Sequence, residues 1–462
     1  MEEIKKLFEQ TFSQKIVSIE KMQASGSNRQ YFRCKSEAYN CIGAYNPNTE
    51  ENIAFIDYAR QLKQNGIDVP EIYSYSDDFR FYLQQDLGDE TFFTYLKHSS
   101  ADDVLNTGRK IMKSLVSIHT MPDFNYSKAF PIGVFDKQAM MWDLNYFKYY
   151  FLKLAEIEFN EQKLQRDFDC LTDYLQDCVN TGFMYRDFIP RNIMIVNSEP
   201  YFIDFQGGRK GAMQYDLASF LFDAKSDFSQ STREDWLDTY IKELNKQNDI
   251  DEVQFKEYFY AYVYIRIMQT MGAYGYRGFF ERKIPFLKSI PFAIKNLTYL
   301  MQNYPLKISL PQLNGCFEQI LASDRLKSVV NQGKLTVNIK SFSYKKGYPQ
   351  DTSGNGGGFV FDCRALPNPG REARFKNLTG KDKEVKDYLE KQESVKYFLQ
   401  NVFNILNQTT ENYLSRNFTS LCVYFGCTGG QHRSVYCAEK YAEYLSQNTD
   451  LNIIVNHTEQ NI

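Results

Sequence analysis

The sequence predicts an α+β, two-lobed domain followed by a smaller α/β domain whose central strand ends in a glycine-rich loop. Three observations carry this expectation. Short strand-like segments crowd residues 1–90, whereas long segments with helical apolar spacing fill 91–320. Inside the second region stand Asp187, Asn192 and Asp204, an Asp, an Asn five residues on, and a second Asp after the apolar run Tyr201-Phe202-Ile203. Beyond residue 330, the apolar run Ser420 to Gly426 enters Cys427-Thr428-Gly429-Gly430-Gln431-His432-Arg433-Ser434, and a helical pattern follows. The expected divisions are 1–90, 91–320 and 330–462.

The first region reads as strands with one helix. Residues 24–33, Ala24 to Arg33, form a Gly/Ser turn between two strands, and such turns can lay backbone N–H groups over phosphates. A third strand is expected over Tyr39–Asn46 and a helix over 50–65, ending at Gly66. Arg80–Asp89 reads as a strand running into a hinge. Residues 93–320 read as mainly helical. Ile111 to His119 is one such helix, with His119 expected as a packing or capping group at its end. Asp216 is expected to cap its helix and brace the loop at Asp187. A later helix with Arg266, Gln269 and Gly272, then Tyr274 and Arg277, would line the open side of this lobe.

The chemistry lies in Tyr185-Arg186-Asp187-Phe188-Ile189-Pro190-Arg191-Asn192 and in Ile203-Asp204-Phe205-Gln206. This spacing is that of the catalytic loop and metal site of a kinase-like bilobal fold. Asp187, with Arg186 before it, would orient an attacking hydroxyl and take its proton. Asn192 and Asp204 would hold Mg²⁺ against the phosphates of ATP, because a hard cation needs oxygen ligands. Ser27, Asn28 and Arg29 are expected over the nucleotide, and Arg191, Gln206 and Arg266 are candidates for the acceptor pocket. One part is missing. The third strand offers Ile42, Gly43 and Ala44 where protein kinases place a phosphate-holding Lys, and Lys35 lies too early.

Composition limits the rest. At 462 residues the chain is too long for one core. Hydrophobic residues at 43%, with 34 Tyr and 37 Phe, exclude a disordered chain. No apolar run reaches a membrane span, and Met1-Glu2-Glu3-Ile4-Lys5-Lys6 does not read as a signal peptide, so a cytoplasmic protein without a membrane partner is expected. Nine Cys at irregular spacing fit reduced thiols. Four His and no paired CxxC argue against structural zinc. The net charge of −3 is uneven: 325–462 holds 18 basic against 13 acidic residues, and 1–324 holds 36 against 44.

The stretches Ser27–Arg33, Gln85–Asp89, Arg186–Asn192, Ile203–Gln206, Tyr215–Leu217 and Arg266–Gly272 resemble the aminoglycoside-phosphotransferase-like fold. Within it they are similar to the bacterial anomeric kinases of N-acetylmuramate and N-acetylglucosamine, the AmgK group. The resemblance spans nearly all of 1–305. It implies transfer of phosphate from ATP to an amino sugar at the anomeric hydroxyl, as in peptidoglycan recycling. That group also lacks the third-strand Lys. Tyr185 stands where its members have His, and Gly207 where they have an acid after the Gln, which leaves the exact sugar open.

After 321–334, Leu335–Phe342 alternates as a strand, Lys345–Pro349 and Ser353–Gly358 read as loops, and Phe359–Arg364 as a second strand. A long helical region is expected at 383–414, then the strand 420–426 and a helix to residue 447. A strand, a Gly-rich loop and a helix N-terminus make an anion site, and Arg433 adds a guanidinium. Cys427 and Arg433 also have the Cys-x₅-Arg spacing of a phosphatase loop, in which a thiolate attacks phosphorus.

This region resembles the C-terminal domain of RapZ, a bacterial adaptor that senses glucosamine 6-phosphate and binds small RNA. The resemblance runs through Lys346–Pro349, Phe361–Arg364, Leu366–Pro369, Leu378–Gly380, Gly426–Val435 and His457. It implies a phosphorylated amino sugar bound by Cys427, Thr428, Gly429, Gly430, Gln431, His432, Arg433 and Ser434, helped by Arg364 and His457. Thr458 stands where the family has Arg after the His, so RNA binding is only weakly implied. The expected whole is an ATP- and Mg²⁺-dependent amino-sugar kinase fused to a phosphosugar-binding domain. The alternatives are a metabolite-sensing adaptor for RNA or protein with a vestigial kinase, or a phosphatase acting through Cys427.

Overall fold

The computed structural model describes residues 1–22, 29–327, 335–349, 358–415, 418, 420–448 and 451–460. The chain divides into two compact units, one of Met1–Ala273 with Phe292–Ala322 and one of Tyr274–Pro291 with Ser323–Ile462. The expected nucleotide residues Ser27 and Asn28, and the glycines at 354, 356 and 357, lie outside the described residues.

The first unit opens on a five-stranded antiparallel sheet of order β1-β2-β3-β5-β4. Its strands are β1 (Ser18–Lys21), β2 (Gln30–Lys35), β3 (Asn40–Tyr45), β4 (Ile72–Tyr75) and β5 (Phe81–Gln85). Alternation along β3 sends its residues to two faces. On one face Cys41 joins Cys34, Phe32 and Leu83 under Ile4 and Phe8 of the helix Glu2–Phe12. Gly43 lies on that face too: a Cβ there would sit 2.6 Å from Ile4 Cγ2. On the other face Tyr82, the cross-strand partner of Ala44, meets Phe55 of the helix Thr49–Gln64 at 5.1 Å. That helix starts where the Asn48 side chain accepts from Glu51 N, and it ends before Gly66 at φ +76°.

One helix was expected in residues 1–90, and there are two. The charges of Glu2, Glu3, Lys5 and Lys6 obscure the Ile4/Phe8 spacing, and burial against the sheet decides the conformation. The helical region is likewise interrupted, by two short antiparallel pairs. In the first, β6 (Thr181–Met184) joins β9 (Arg209–Ala212). In the second, β7 (Ile193–Val196) joins β8 (Glu199–Phe202). Around them stand the helices Ala101–His119, Lys137–Phe147, Glu161–Gln176, Met213–Leu221 and Gln230–Asn245. Trp236, fully buried, packs among Phe92, Phe220 and Phe228.

Tyr274 and Arg277, expected to line the open side of the helical lobe, belong instead to the segment grouped with the second unit. That segment closes on itself. Tyr274 and Arg277 both contact the Phe286 ring, and Gly278 meets Leu287 so closely that a Cβ would be 2.7 Å away.

The second unit is a four-stranded parallel sheet of order β11-β12-β10-β13. Its strands are β10 (Leu335–Ser343), β11 (Gly358–Asp362), β12 (Ser420–Cys427) and β13 (Leu451–His457). The expected helical region at 383–414 consists of two helices, Lys383–Glu390 and Glu393–Ser415. The helix Arg433–Leu445 completes the core with Tyr436, Cys437, Ala438 and Tyr441. Central β12 is almost wholly buried, as a parallel strand covered on both faces must be. All nine cysteines are free thiols. Among the described residues no helix is long and apolar enough to cross a membrane.

Gly43→Ala forces its methyl group into Ile4. It is expected to destabilise the first unit by roughly 1–3 kcal/mol, seen as a lower Tm than wild type in scanning calorimetry.

Candidate active site

The register of β7 and β8 builds the first constellation. Ile193 pairs with Phe202, so the residues flanking that pair converge. Ile203 N donates to Asn192 O (3.0 Å), and Asn192 Nδ2 donates to Asp204 Oδ2 (3.2 Å) and to Asp187 O (2.9 Å). Asp204 has φ +70°, a left-handed conformation that turns its carboxylate toward Asn192 and Asp187. Asp204 does not sit at the end of an apolar strand as expected, since β8 stops at Phe202. Its carboxylate is open to solvent yet surrounded by protein, and that burial, then the charge of Asp187, raises its pKa above the ordinary value. A carboxylate whose charge is disfavoured in this way is a setting in which a cation is stabilising.

Arg186, Asp187 and their neighbours are held from behind. The buried Asp216 accepts Tyr185 N (2.5 Å) through Oδ2 and Arg186 N (2.8 Å) through Oδ1. His119 Nε2 lies 3.1 Å from the same carboxylate, and His119 Nδ1 lies 2.6 Å from Tyr240 Oη. His119, expected as a packing or capping group, is buried and hydrogen-bonds the brace itself. Asp216 braces the loop but does not cap its helix. The residue before Met213–Leu221 is Ala212, which makes no side-chain cap, and the Asp216 carboxylate is committed to the loop.

Arg186 has φ +82°, and its guanidinium bonds Asp143 in two places (2.6 and 2.8 Å) and Tyr215 Oη (2.5 Å). That makes it a brace for the loop beside Asp187, with Nη1 and Nη2 held by Asp143 and Tyr215. Asp143 carries no local signal in the sequence. Arg266, nine-tenths buried, reaches from its helix to within 3.7 Å of Asp187 and also donates to Gln269. Arg191 is exposed. Gln206 Nε2 donates to Asp204 Oδ1 (2.8 Å) and to Glu51 Oε1 (3.4 Å), and Glu51 in turn pairs with Arg29 at 3.1 Å. Arg33 links β2 to the hinge, with bonds to Asp86 (2.8 Å) and Asp89 (2.8 Å). Sequence reading missed Glu51 and Asp143. Glu51 had a signal, as an acid three residues after the Asn48 cap, in the helix turn that faces the sheet.

In the second unit the carboxyl ends of four parallel strands, Ser343, Asp362, Cys427 and His457, fall on one edge of the sheet. Loops at that edge are where parallel sheets bind ligands. The loop after β12 turns at Gly430, φ +69°, where a Cβ would lie 2.3 Å from Glu459. It then enters the helix Arg433–Leu445, whose N-terminus carries no side-chain cap at His432 and whose dipole favours an anion. Arg433 Nη1 is anchored by the carbonyls of Arg364 (2.8 Å) and Leu366 (2.9 Å), while Nη2 donates to Thr428 Oγ1 (3.4 Å). The Nε–Nη2 edge thus faces the loop, with Nε buried and without a protein partner.

Cys427 Sγ lies 3.1 Å from Ser434 Oγ. Burial would push the Cys427 thiol up, but hydrogen bonds from Ser434 and Gly430 and the charge of Arg433 outweigh it and bring its pKa below the ordinary value. His432 Nε2 bonds Phe375 O (3.0 Å), and Gln431 O accepts from Gly380 N (2.9 Å), so both side the loop toward 375–380. Arg364 is half exposed, bonded to Asp362 and stacked over Tyr344 at 3.9 Å. His457 has both nitrogens engaged, Nδ1 with Ser341 Oγ (2.8 Å) and Nε2 with Glu439 Oε1 (2.8 Å). Gly429 has no neighbour within 4 Å of a Cβ, which leaves the loop crest open.

Residues 24–255, just over half of the chain, match the phosphotransferase enzyme family. The chain belongs to that family. In the same chain, residues 335–461 match the RapZ C-terminal domain. A nucleotide-binding protein of Xylella fastidiosa is 38% identical over 120 residues, 26% of this chain and 40% of that protein. One of Thermotoga neapolitana is 39% identical over 122 residues, 26% of this chain and 42% of that protein. The chain therefore spans about two fifths of the length of the curated relatives it matches. Among solved structures, a choline/ethanolamine kinase family protein from Mesorhizobium loti aligns at TM-score 0.43 and 12% identity, over 66% of this chain and 93% of that one. An ethanolamine kinase from Plasmodium vivax aligns at 0.46 and 13%, over 63% and 84%.

Burial depresses the His457 pKa below its ordinary value, against the pull of Glu439. A depressed folded pKa contributes stability that is present above the unfolded value near 6.5 and is lost as pH falls. The second unit is expected to lose Tm between about pH 7 and pH 5, and His457→Gln to flatten that slope relative to wild type. Asp216→Ala leaves two loop N–H groups unmet. It is expected to cost about 2–4 kcal/mol and to lower turnover by more than the matching loss of folded protein explains.

Proposed function

We propose that this phosphotransferase moves the γ-phosphoryl group of ATP to an amino sugar of the N-acetylmuramate or N-acetylglucosamine type, at its anomeric hydroxyl. Its second unit would bind a phosphorylated amino sugar. The observation that carries the reading is the convergence of Asp187, Asn192 and Asp204, three oxygen-bearing side chains with a half-exposed Asp at their centre. In this reading the Asp187 carboxylate accepts a hydrogen bond from the acceptor hydroxyl and takes its proton as the oxygen attacks phosphorus. Arg266, 3.7 Å from Asp187, orients that carboxylate.

Asn192 and Asp204 fit Mg²⁺. They form a sparse all-oxygen set for an ion that completes its shell with phosphate and water. No cluster of three or more His, Cys, Asp or Glu able to hold a metal occurs among the described residues. Bound there, Mg²⁺ would favour the charged form of Asp204, which burial and then Asp187 disfavour, and neutralise charge on the phosphates.

The sugar rests on the resemblance to the anomeric kinases, supported by the anion loop of the second unit. There Thr428 to Ser434 would receive the phosphate on the helix N-terminus and the Nε–Nη2 edge of Arg433. A second reading, phosphate release through Cys427, draws on the lowered thiol pKa. Against it stands burial, since Cys427 is 3% exposed and lies below the loop.

ATP consumption across amino sugars and muramic acids, with Mg²⁺, is expected to show turnover with one of them. Asp187→Asn should lower kcat by about 10²–10⁴-fold with folding intact. No turnover with any acceptor would shift the reading to a metabolite-sensing adaptor for RNA or protein. Phosphate release from a phosphosugar, abolished by Cys427→Ser, would establish the phosphatase.

A further inference from the structure

Kinase-like phosphotransfer needs a fixed cation on the nucleotide phosphates, braced by a carboxylate from the adjacent helix. In β3 the positions that could supply it are closed. Gly43 abuts Ile4, and Ile42 and Ala44 are buried and apolar. The carboxylate is nevertheless present. Glu51 stands in the first turn of the helix Thr49–Gln64, with its Oε2 accepting from Asn46 Nδ2 (2.8 Å).

The cation facing Glu51 comes from another strand. Arg29, immediately before β2, has a side chain only 3% exposed. Its Nη2 lies 3.1 Å from Glu51 Oε1, its Nη1 donates to Tyr31 Oη (3.4 Å), and its guanidinium stands 5.7 Å from the Phe55 ring centre. Glu51 also accepts from Gln206 Nε2, which donates to Asp204. Phe55 stacks on Phe205 at 4.8 Å and 7°, so helix and metal-site turn are joined by an apolar contact beside the polar one. A buried guanidinium held this way is linked through two side chains to the carboxylate expected on Mg²⁺.

We infer that Arg29 holds the phosphates of the bound nucleotide in place of a β3 lysine, and that Glu51 is its positioning residue, keyed to Asp204 through Gln206. The assignment rests on the ATP-dependent reading above. A guanidinium suits the task from this distance. It keeps its charge when buried and presents donors on two edges, so one edge can stay on Glu51 while another meets phosphate. Tethered by a carboxylate, it also loses little freedom when the nucleotide arrives. A buried ion pair with a purely structural duty would instead support both lobes without discriminating among nucleotides.

The test is equilibrium binding of MgATP and of adenosine to the full chain, alongside Tm. The proteins are wild type, Arg29→Gln, Arg29→Lys, Glu51→Gln and the double variant Arg29→Gln/Glu51→Gln. Arg29→Gln is expected to weaken MgATP about tenfold or more and to leave adenosine within about twofold. Arg29→Lys should recover part of the loss. Glu51→Gln should shift the same way by less, and the double variant should be no worse than Arg29→Gln alone, the signature of a coupled pair.

Unchanged MgATP affinity in a folded Arg29→Gln protein overturns the assignment, as does an equal loss of MgATP and adenosine. If Arg29→Gln does not fold, Arg29→Lys against wild type makes the same comparison, and equal ATP and adenosine effects there overturn it. Wild type that binds adenosine no less tightly than MgATP overturns both this assignment and the ATP-dependent reading. A failure confined to the variants overturns this assignment alone.

Discussion

The Asp216 carboxylate is the contact on which the active-site loop depends. It has no solvent exposure, and a buried charge is tolerated only where donors surround it. Those donors are the main-chain N–H groups of Tyr185 and Arg186, with His119 at 3.1 Å. They hold Arg186 at φ +82°, a conformation that costs on the order of 1–3 kcal/mol in a non-glycine residue. Charge-assisted hydrogen bonds of about 1.5–3 kcal/mol each are enough to offset it. The turn forced at Arg186 is what presents Asp187 beside Arg266 rather than toward the core. The Arg186 side chain, pinned by Asp143 and Tyr215, closes the loop from the opposite side. One buried anion thus converts a strained turn into a rigid one, and chemistry at Asp187 needs that rigidity because positioning is most of the task.

Two further constraints complete the site. The β7–β8 register sets Asn192 against Asp204 locally, since a hairpin of two four-residue strands returns the chain to its starting point. The link to the N-terminal sheet is long-range. Glu51, Gln206, Phe55 and Phe205 tie a helix near residue 50 to a turn near residue 205 through one polar and one stacked contact. Arg33 does the same for the hinge by gripping Asp86 and Asp89. These two ties explain why motif stretches far apart in the chain serve a single site. The first aligns the metal-site turn, and the second fixes the segment that leads into the helical lobe.

The second unit solves anion binding by a different route. A parallel sheet gathers all its carboxyl ends on one edge, so one loop and one helix N-terminus there suffice. Arg433 illustrates the economy of the arrangement. Two main-chain carbonyls from 364 and 366 satisfy one nitrogen and aim the remaining edge at Thr428. The same bonds make the Cys363–Leu366 turn part of the loop's support, which gives Arg364 a main-chain duty besides its exposed side chain.

The sequence by itself determined the kinase-like layout, the Asp187, Asn192 and Asp204 set, and the glycine-rich loop of the second unit. It could do so because each is local. Hairpin register, strand–loop–helix order and helix periodicity are written within about twenty residues. It also specified Asp216 as the loop's brace, though not that the helix goes without its cap. Only the tertiary structure decided what depends on distant residues. It showed Arg186 as a brace on Asp143, Glu51 as the partner of Arg29, the N-terminal helix hidden under charged residues, and Tyr274 and Arg277 turned toward Phe286. Burial and ion pairing between separate segments leave no periodic mark in the chain. They are settled when the sheet, the helices and their buried charges must all find partners at once.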